Sequence, residues 1–108
     1  MREIVESHEG GLVTTTCVLA ELAALMVSRL GHAEAGRMGE LIRRSREVEL
    51  VHPGLEEEMA AWRLFIERSD KSYSLTDCLS FTVMRRLGLD TALATDDHFR
   101  HEGFRVLP

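Results

Sequence analysis

The stretch YSLTDCLSFTVMRRLG, Tyr73 to Gly88, is apolar on almost every side once wound into a helix: Leu75, Cys78, Leu79, Phe81, Val83, Met84 and Leu87 leave no wide polar face. A helix that is apolar all round belongs in the interior of a fold. The reading therefore predicts a buried helix over about Leu75 to Leu87, with the other elements arranged around it. Asp77 falls in its first turn, one turn before Phe81 and two before Met84. A carboxylate aimed at apolar atoms needs a partner, because a buried charge is costly unless paired, hydrogen-bonded or bound to a metal. The helix end itself is one such partner, since Ser74 followed by Asp77 fits a capping box with Asp in place of the usual Glu or Gln. A bound cation is the other.

On the C-terminal side, Thr91 to Ala94 is a short apolar run with strand character that stops at Thr95, Asp96 and Asp97. Ligands of open α/β sheets gather beyond the carboxyl ends of strands, so an Asp pair there is placed for a metal or a hydrophilic ligand. The plain reading is that Thr95 or Asp96 caps a short helix through His98 and Phe99. Phe104 to Leu107, after Gly103, reads as a last short strand.

On the N-terminal side, Arg2 to Ser7 reads as the end of a helix, closed by the turn His8, Glu9, Gly10 and Gly11. Leu12 to Thr16 reads as a β-branched strand. A helix follows from about Cys17 to Leu30, with Val18, Leu19, Leu22, Leu25, Met26 and Leu30 as its apolar stripe. Glu21 lies early in it at the edge of that stripe, where the helix dipole alone favours an acid. A second helix runs from about Ala33 to Ser45, with Met38, Leu41 and Ile42 inward and Arg43, Arg44 and Arg46 at its solvated end. Val48 to Val51 is a further strand, stopped by His52, Pro53 and Gly54. From Leu55, the spacing Leu55, Met59, Trp62 and Ile66, with Phe65 beside it, marks an amphipathic helix whose aromatic stripe is expected in the core. Strands alternate with helical segments throughout, which argues for an α/β three-layer fold with a mainly parallel central sheet.

At 108 residues the chain is a single domain, residues 1–108, near the lower end for an α/β fold. Its 44% apolar and 29% charged content excludes a disordered chain. Neither a bilayer-length apolar run nor a signal-peptide pattern is visible, so the expectation is a cytoplasmic protein with no membrane partner. Cys17 and Cys78 sit in apolar helical contexts without metal-ligand spacing, which predicts reduced, buried thiols. A formal charge of −5 argues against a general nucleic-acid coat protein, though not against a nuclease, whose acids are offset by a divalent cation. Arg85 and Arg86 are candidates for contact with a phosphate backbone. Histidine-based catalysis is disfavoured, as His98 has no nearby nucleophile to activate. A phosphatase or receiver-like domain using Asp96 and Asp97 is disfavoured too, because those folds place the key Asp after an early strand.

Three blocks in order, LVTTTCVLAEL at 12–22, SLTDCLSF at 74–81, and ATDDHF followed by GFRVL at 94–107, resemble PIN domains, and among them the VapC-type toxin ribonucleases. The resemblance covers nearly the whole chain. It implies a metal-dependent endoribonuclease with acids from separate places converging at one end of a parallel sheet to hold Mg²⁺ or Mn²⁺. Carried over position by position, it assigns Glu21, Asp77 and Asp96 as catalytic metal ligands, with Asp97 as an assisting neighbour and Thr76 or Thr95 as accessory groups. It also implies an RNA substrate and an antitoxin protein as partner, while the absence of the family's first strand leads to the expectation of a homodimer or segment-exchanged oligomer.

Family members begin with a strand carrying a first aspartate, and this chain has no Asp before Asp70. The expectation is thus an N-terminally incomplete domain, starting about 30 residues late by ordinary element lengths. Its missing central strand would leave unpaired backbone groups, to be filled by an intermolecular contact, an exchanged segment or a rearrangement. The alternative function is a catalytically impaired or inactive PIN-fold fragment that acts only by binding another protein.

Overall fold

The computed structural model describes residues 4–6 and 11–107. The elements run β1 (Ile4–Glu6), β2 (Leu12–Thr15), α1 (Thr16–Leu30), α2 (His32–Arg44), β3 (Val48–Val51), α3 (Leu55–Glu67), α4 (Leu75–Leu87), β4 (Thr91–Leu93), α5 (His98–His101) and β5 (Arg105–Leu107). The strands form one sheet in the order β3-β2-β1-β4-β5. Its two flanks are parallel pairs: Thr14 stands opposite Leu50 in the first, and Ala92 opposite Val106 in the second. The α/β class expected from the sequence holds.

The centre of the sheet corrects one expectation. Ile4–Glu6 is a strand rather than the end of a helix, antiparallel to both neighbours, with Val5 opposite Val13 on one side and Ala92 on the other. The physical reason is that the facing edges of β2 and β4 carry backbone donors and acceptors that need partners, and a short β-branched segment supplies them. The centre of the sheet is thus occupied by a strand of this chain, paired on both sides. The rest of the segment from Arg2 to Ser7, and the turn His8 to Gly10, lie outside the described residues.

Helix α4 is the interior element that its composition predicts: Asp77 to Phe81, Val83 and Met84 are all buried. Phe81 sits at the middle of the core, with Phe99 edge-on at 4.8 Å between ring centres, Tyr73 at 5.0 Å and Phe104 stacked at 5.8 Å. Edge-on and offset pairs of this kind add to the stabilisation from burial alone. The helix starts on a capping box, in which the Asp77 amide donates to Ser74 Oγ at 3.0 Å and the Ser74 amide donates to Asp77 Oδ2 at 2.9 Å. It ends at Gly88 in the left-handed conformation, φ 72°, where a residue without a Cβ fits at no steric cost.

The stripe on α3 corrects a second expectation. Leu55, Met59, Trp62 and Ile66 are exposed, Leu55 by 73% and Trp62 by 53%, while Phe65 is half-buried. Instead α3 turns the fully buried Ala61 into the core, flanked by Leu64 and Phe65. The helix is apolar on two faces, and the face holding the small residue is the one that admits close approach to the core. On α2, Met38 and Leu41 likewise face outward, and Ala35 is the buried residue. Cys78 is buried and Cys17 half-buried, and neither is in a disulfide.

Candidate functional site

Asp77 enters the site from the first turn of α4 and is 4% exposed. Asp96 comes from the loop just beyond β4, and His98 opens α5 immediately after it. The three meet at one imidazole. His98 Nδ1 lies 2.9 Å from Asp77 Oδ2 and 3.7 Å from Asp96 Oδ1, while the His98 backbone N–H donates to the same Asp96 oxygen at 3.1 Å. Because a carboxylate only accepts, Nδ1 carries the hydrogen in the contact with Asp77. On its far side, Nε2 is 3.2 Å from Ser72 Oγ. The Tyr73 ring meets the imidazole edge-on at 5.2 Å.

A second cluster sets where α5 stands relative to α4. Glu102, at the C-terminal end of α5, has a side chain only 4% exposed. It accepts from Arg68 Nε at 2.8 Å, from Tyr73 Oη at 3.0 Å and from Arg85 Nη2 at 2.9 Å, and its backbone carbonyl takes a further bond from Arg85 at 3.0 Å. One carboxylate therefore ties the end of α3, the loop before α4 and the last turn of α4 to the segment bearing His98. Burial by itself would raise the Glu102 carboxyl; the bonds from Arg68, Arg85 and Tyr73 outweigh it and hold the pKa down to about 2. The Tyr73 hydroxyl moves the other way, pushed up to about 12 by burial and then by its bond to Glu102, so it remains a proton donor.

The other residues singled out from the sequence fall around this centre or away from it. Glu21 is exposed on α1. Among the described residues, no three His, Cys, Asp or Glu side chains stand close enough to hold a metal as a ready-made set. Asp97 is exposed and paired with Arg100. Thr76 is half-buried and Thr95 exposed. Arg85 is engaged with Glu102 and lies over the Phe104 ring at 5.1 Å, and Arg86 pairs with Glu57 of α3. His98, Glu102, Tyr73 and Arg68 were not singled out as site residues by sequence reasoning. The adjacency of His98 to two acids was a signal for the first, but looking only for a nucleophile passed over it.

Comparison with known proteins agrees with the fold. A family model described as PIN domain matches residues 1–104. The 23S rRNA-specific endonuclease VapC20 of Mycobacterium tuberculosis is 34% identical over 93 residues, spanning 86% of this chain and 70% of that protein. The crystal structure of Mycobacterium tuberculosis VapC20, described as a Sarcin-Ricin loop cleaving toxin, superposes with a TM-score of 0.79 at 35% identity, covering 85% of this chain and 70% of the other.

Proposed function

This chain belongs to the PIN domain family, and from that premise we propose that it is a metal-dependent endoribonuclease of the VapC toxin type, hydrolysing RNA phosphodiester bonds in the cytoplasm. The observation that supports the reading most is that Asp77 and Asp96, from different elements, both approach the His98 ring, at 2.9 Å and 3.7 Å. Their donor set fits Mg²⁺ or Mn²⁺: both are hard oxygen ligands, and Mg²⁺ usually keeps several waters while taking one or two carboxylates together with substrate phosphates. When bound, such an ion supplies a water of lowered pKa and positive charge against the phosphate oxygens.

The chain's own groups prepare that site. The Ser74 amide fixes the Asp77 carboxylate from below, and the His98 amide fixes Asp96. Asp97, exposed and paired with Arg100, enters as an assisting acid from the family pattern, and Thr76 and Thr95 as accessory groups. Glu21 enters the proposal from the family pattern alone, as the carboxylate contributed by α1. The test is cleavage of single-stranded RNA with added Mn²⁺ or Mg²⁺, with 23S rRNA, named for the relative, as the first natural substrate to try. Loss of cleavage in Asp77→Asn and Asp96→Asn is the expected result. Activity in both equal to that of the unaltered chain would sink the assignment.

A second reading, a PIN-fold fragment acting by protein binding, is favoured by one observation. The exposed stripe of α3 borders an apolar groove of about 540 Å³ lined by Cys17, Leu55, Met59, Trp62, Leu75 and Leu79, with Glu58 and Arg63 also in its lining. A groove of this kind suits an amphipathic helix such as an antitoxin presents. Retained binding of an antitoxin helix by a chain with no metal-dependent cleavage of any RNA would favour this second reading.

A further inference from the structure

Two carboxylates brought to a single point repel each other unless something positive or hydrogen-bearing stands between them. Here the imidazole of His98 stands there. Its Nδ1–H takes Asp77 at 2.9 Å and lies 3.7 Å from Asp96 Oδ1, so the ring stands beside both acids assigned to the ion. The same Asp77 oxygen also accepts the Ser74 amide at 2.9 Å, so two donors already crowd the atom that faces the site. Resting on the reading of Asp77 and Asp96 as cation ligands, we propose that His98 is an internal competitor for the divalent cation: its ring occupies the acid pair when the ion is absent and gives way when it arrives.

Three features make the exchange feasible. The His98 side chain is 23% exposed, so its ring already borders solvent. Its backbone amide, not its ring, holds Asp96, so Asp96 keeps its place when the ring rotates away. Ser72 Oγ, 3.2 Å from Nε2, belongs to the polar loop before α4 and is the contact that steadies the ring in its blocking position. The incoming ion replaces one hydrogen bond to Asp77 by coordination, and apparent affinity is lowered by the fraction of molecules in which the ring is in place.

The experiment is Mn²⁺ titration of the whole protein by calorimetry, with bound Mn²⁺ counted independently by electron paramagnetic resonance. Losing a hydrogen bond between the ring and a charged group makes His98→Ala bind Mn²⁺ roughly tenfold tighter. Ser72→Ala, an exposed change that leaves the core intact, shifts the affinity in the same direction by a smaller factor and decides the matter if His98→Ala does not fold. Asp77→Asn in parallel separates the two levels of the argument. If Asp77→Asn abolishes binding while His98→Ala and Ser72→Ala leave it unchanged or weaker, the competitor role is overturned and the ligand assignment stands. If Asp77→Asn binds Mn²⁺ as the unaltered chain does, both are overturned.

Discussion

Oδ2 of Asp77 and Nδ1 of His98, 21 positions apart in sequence, lie 2.9 Å from each other, and through that contact the first turn of α4 is joined to the start of α5. Asp77 also closes the capping box with Ser74. One side chain thus serves the helix end and the site at once, and the two roles respond differently to substitution.

Asp77→Asn keeps the shape and one acceptor, so it should cost only about 1 kcal/mol of stability, the usual scale of a cap. Its effect on cleavage should be far larger, roughly 100-fold or more, at least what loss of an outer partner costs a metal site. Urea denaturation and RNA cleavage on the same sample check the split. A stability loss large enough to account for the lost activity would contradict it.

Glu102 sets the acid sensitivity of the fold. Its pKa is about 2 in the folded chain against an ordinary 4.5. A depressed carboxyl contributes stability that is present above the unfolded value and is lost as pH falls from there toward the folded one. The contribution is on the order of 3 kcal/mol at neutral pH, since each pKa unit is worth about 1.4 kcal/mol. Glu102→Gln should therefore lower the neutral-pH urea midpoint and flatten the decline between about pH 5 and pH 2. An unchanged pH profile would show that Arg68, Tyr73 and Arg85 hold their places without it.

The two thiols should report burial. Cys78 is buried, and burial followed by the neighbouring Asp77 charge pushes its pKa up to about 11, whereas Cys17 is half-buried and lines the apolar groove. A thiol reagent at mildly alkaline pH should modify Cys17 in the native protein and reach Cys78 only after unfolding. Equal native rates for both would refute the packing of α4.

Trp62 is the single tryptophan and is 53% exposed. Trp62→Ala should change stability by no more than about 1 kcal/mol, whereas Phe81→Ala, at the centre of the core, should cost about 3 to 5 kcal/mol. Comparable urea midpoints for the two variants would mean that the α3 stripe is covered rather than exposed.

Most of the architecture was legible because it is written locally. The buried helix α4, its capping box and the βα segments on either side follow from apolar spacing and end signals within a few residues. What was misread depends on partners far away in the chain. Ile4–Glu6 is only three residues long, and the edges of β2 and β4 decide its conformation. The Leu55, Met59, Trp62 and Ile66 spacing fixes a face but not what covers it, and Ala61 won the core side. The acids were read from their positions, but the role of Glu102 needed Arg68, Tyr73 and Arg85 to be seen converging on it. His98 was dismissed for lacking a nucleophile, when its partners are carboxylates.

The three residues of β1 are also the splice between two ribbons. On one side, β2, paired with β3, leads into the helix carrying Glu21; on the other, β4 and β5 bracket Asp96 and His98. Within the sheet the two ribbons are joined only through β1, so three residues set how the strand leading to Asp96 is registered against the strand leading to Glu21.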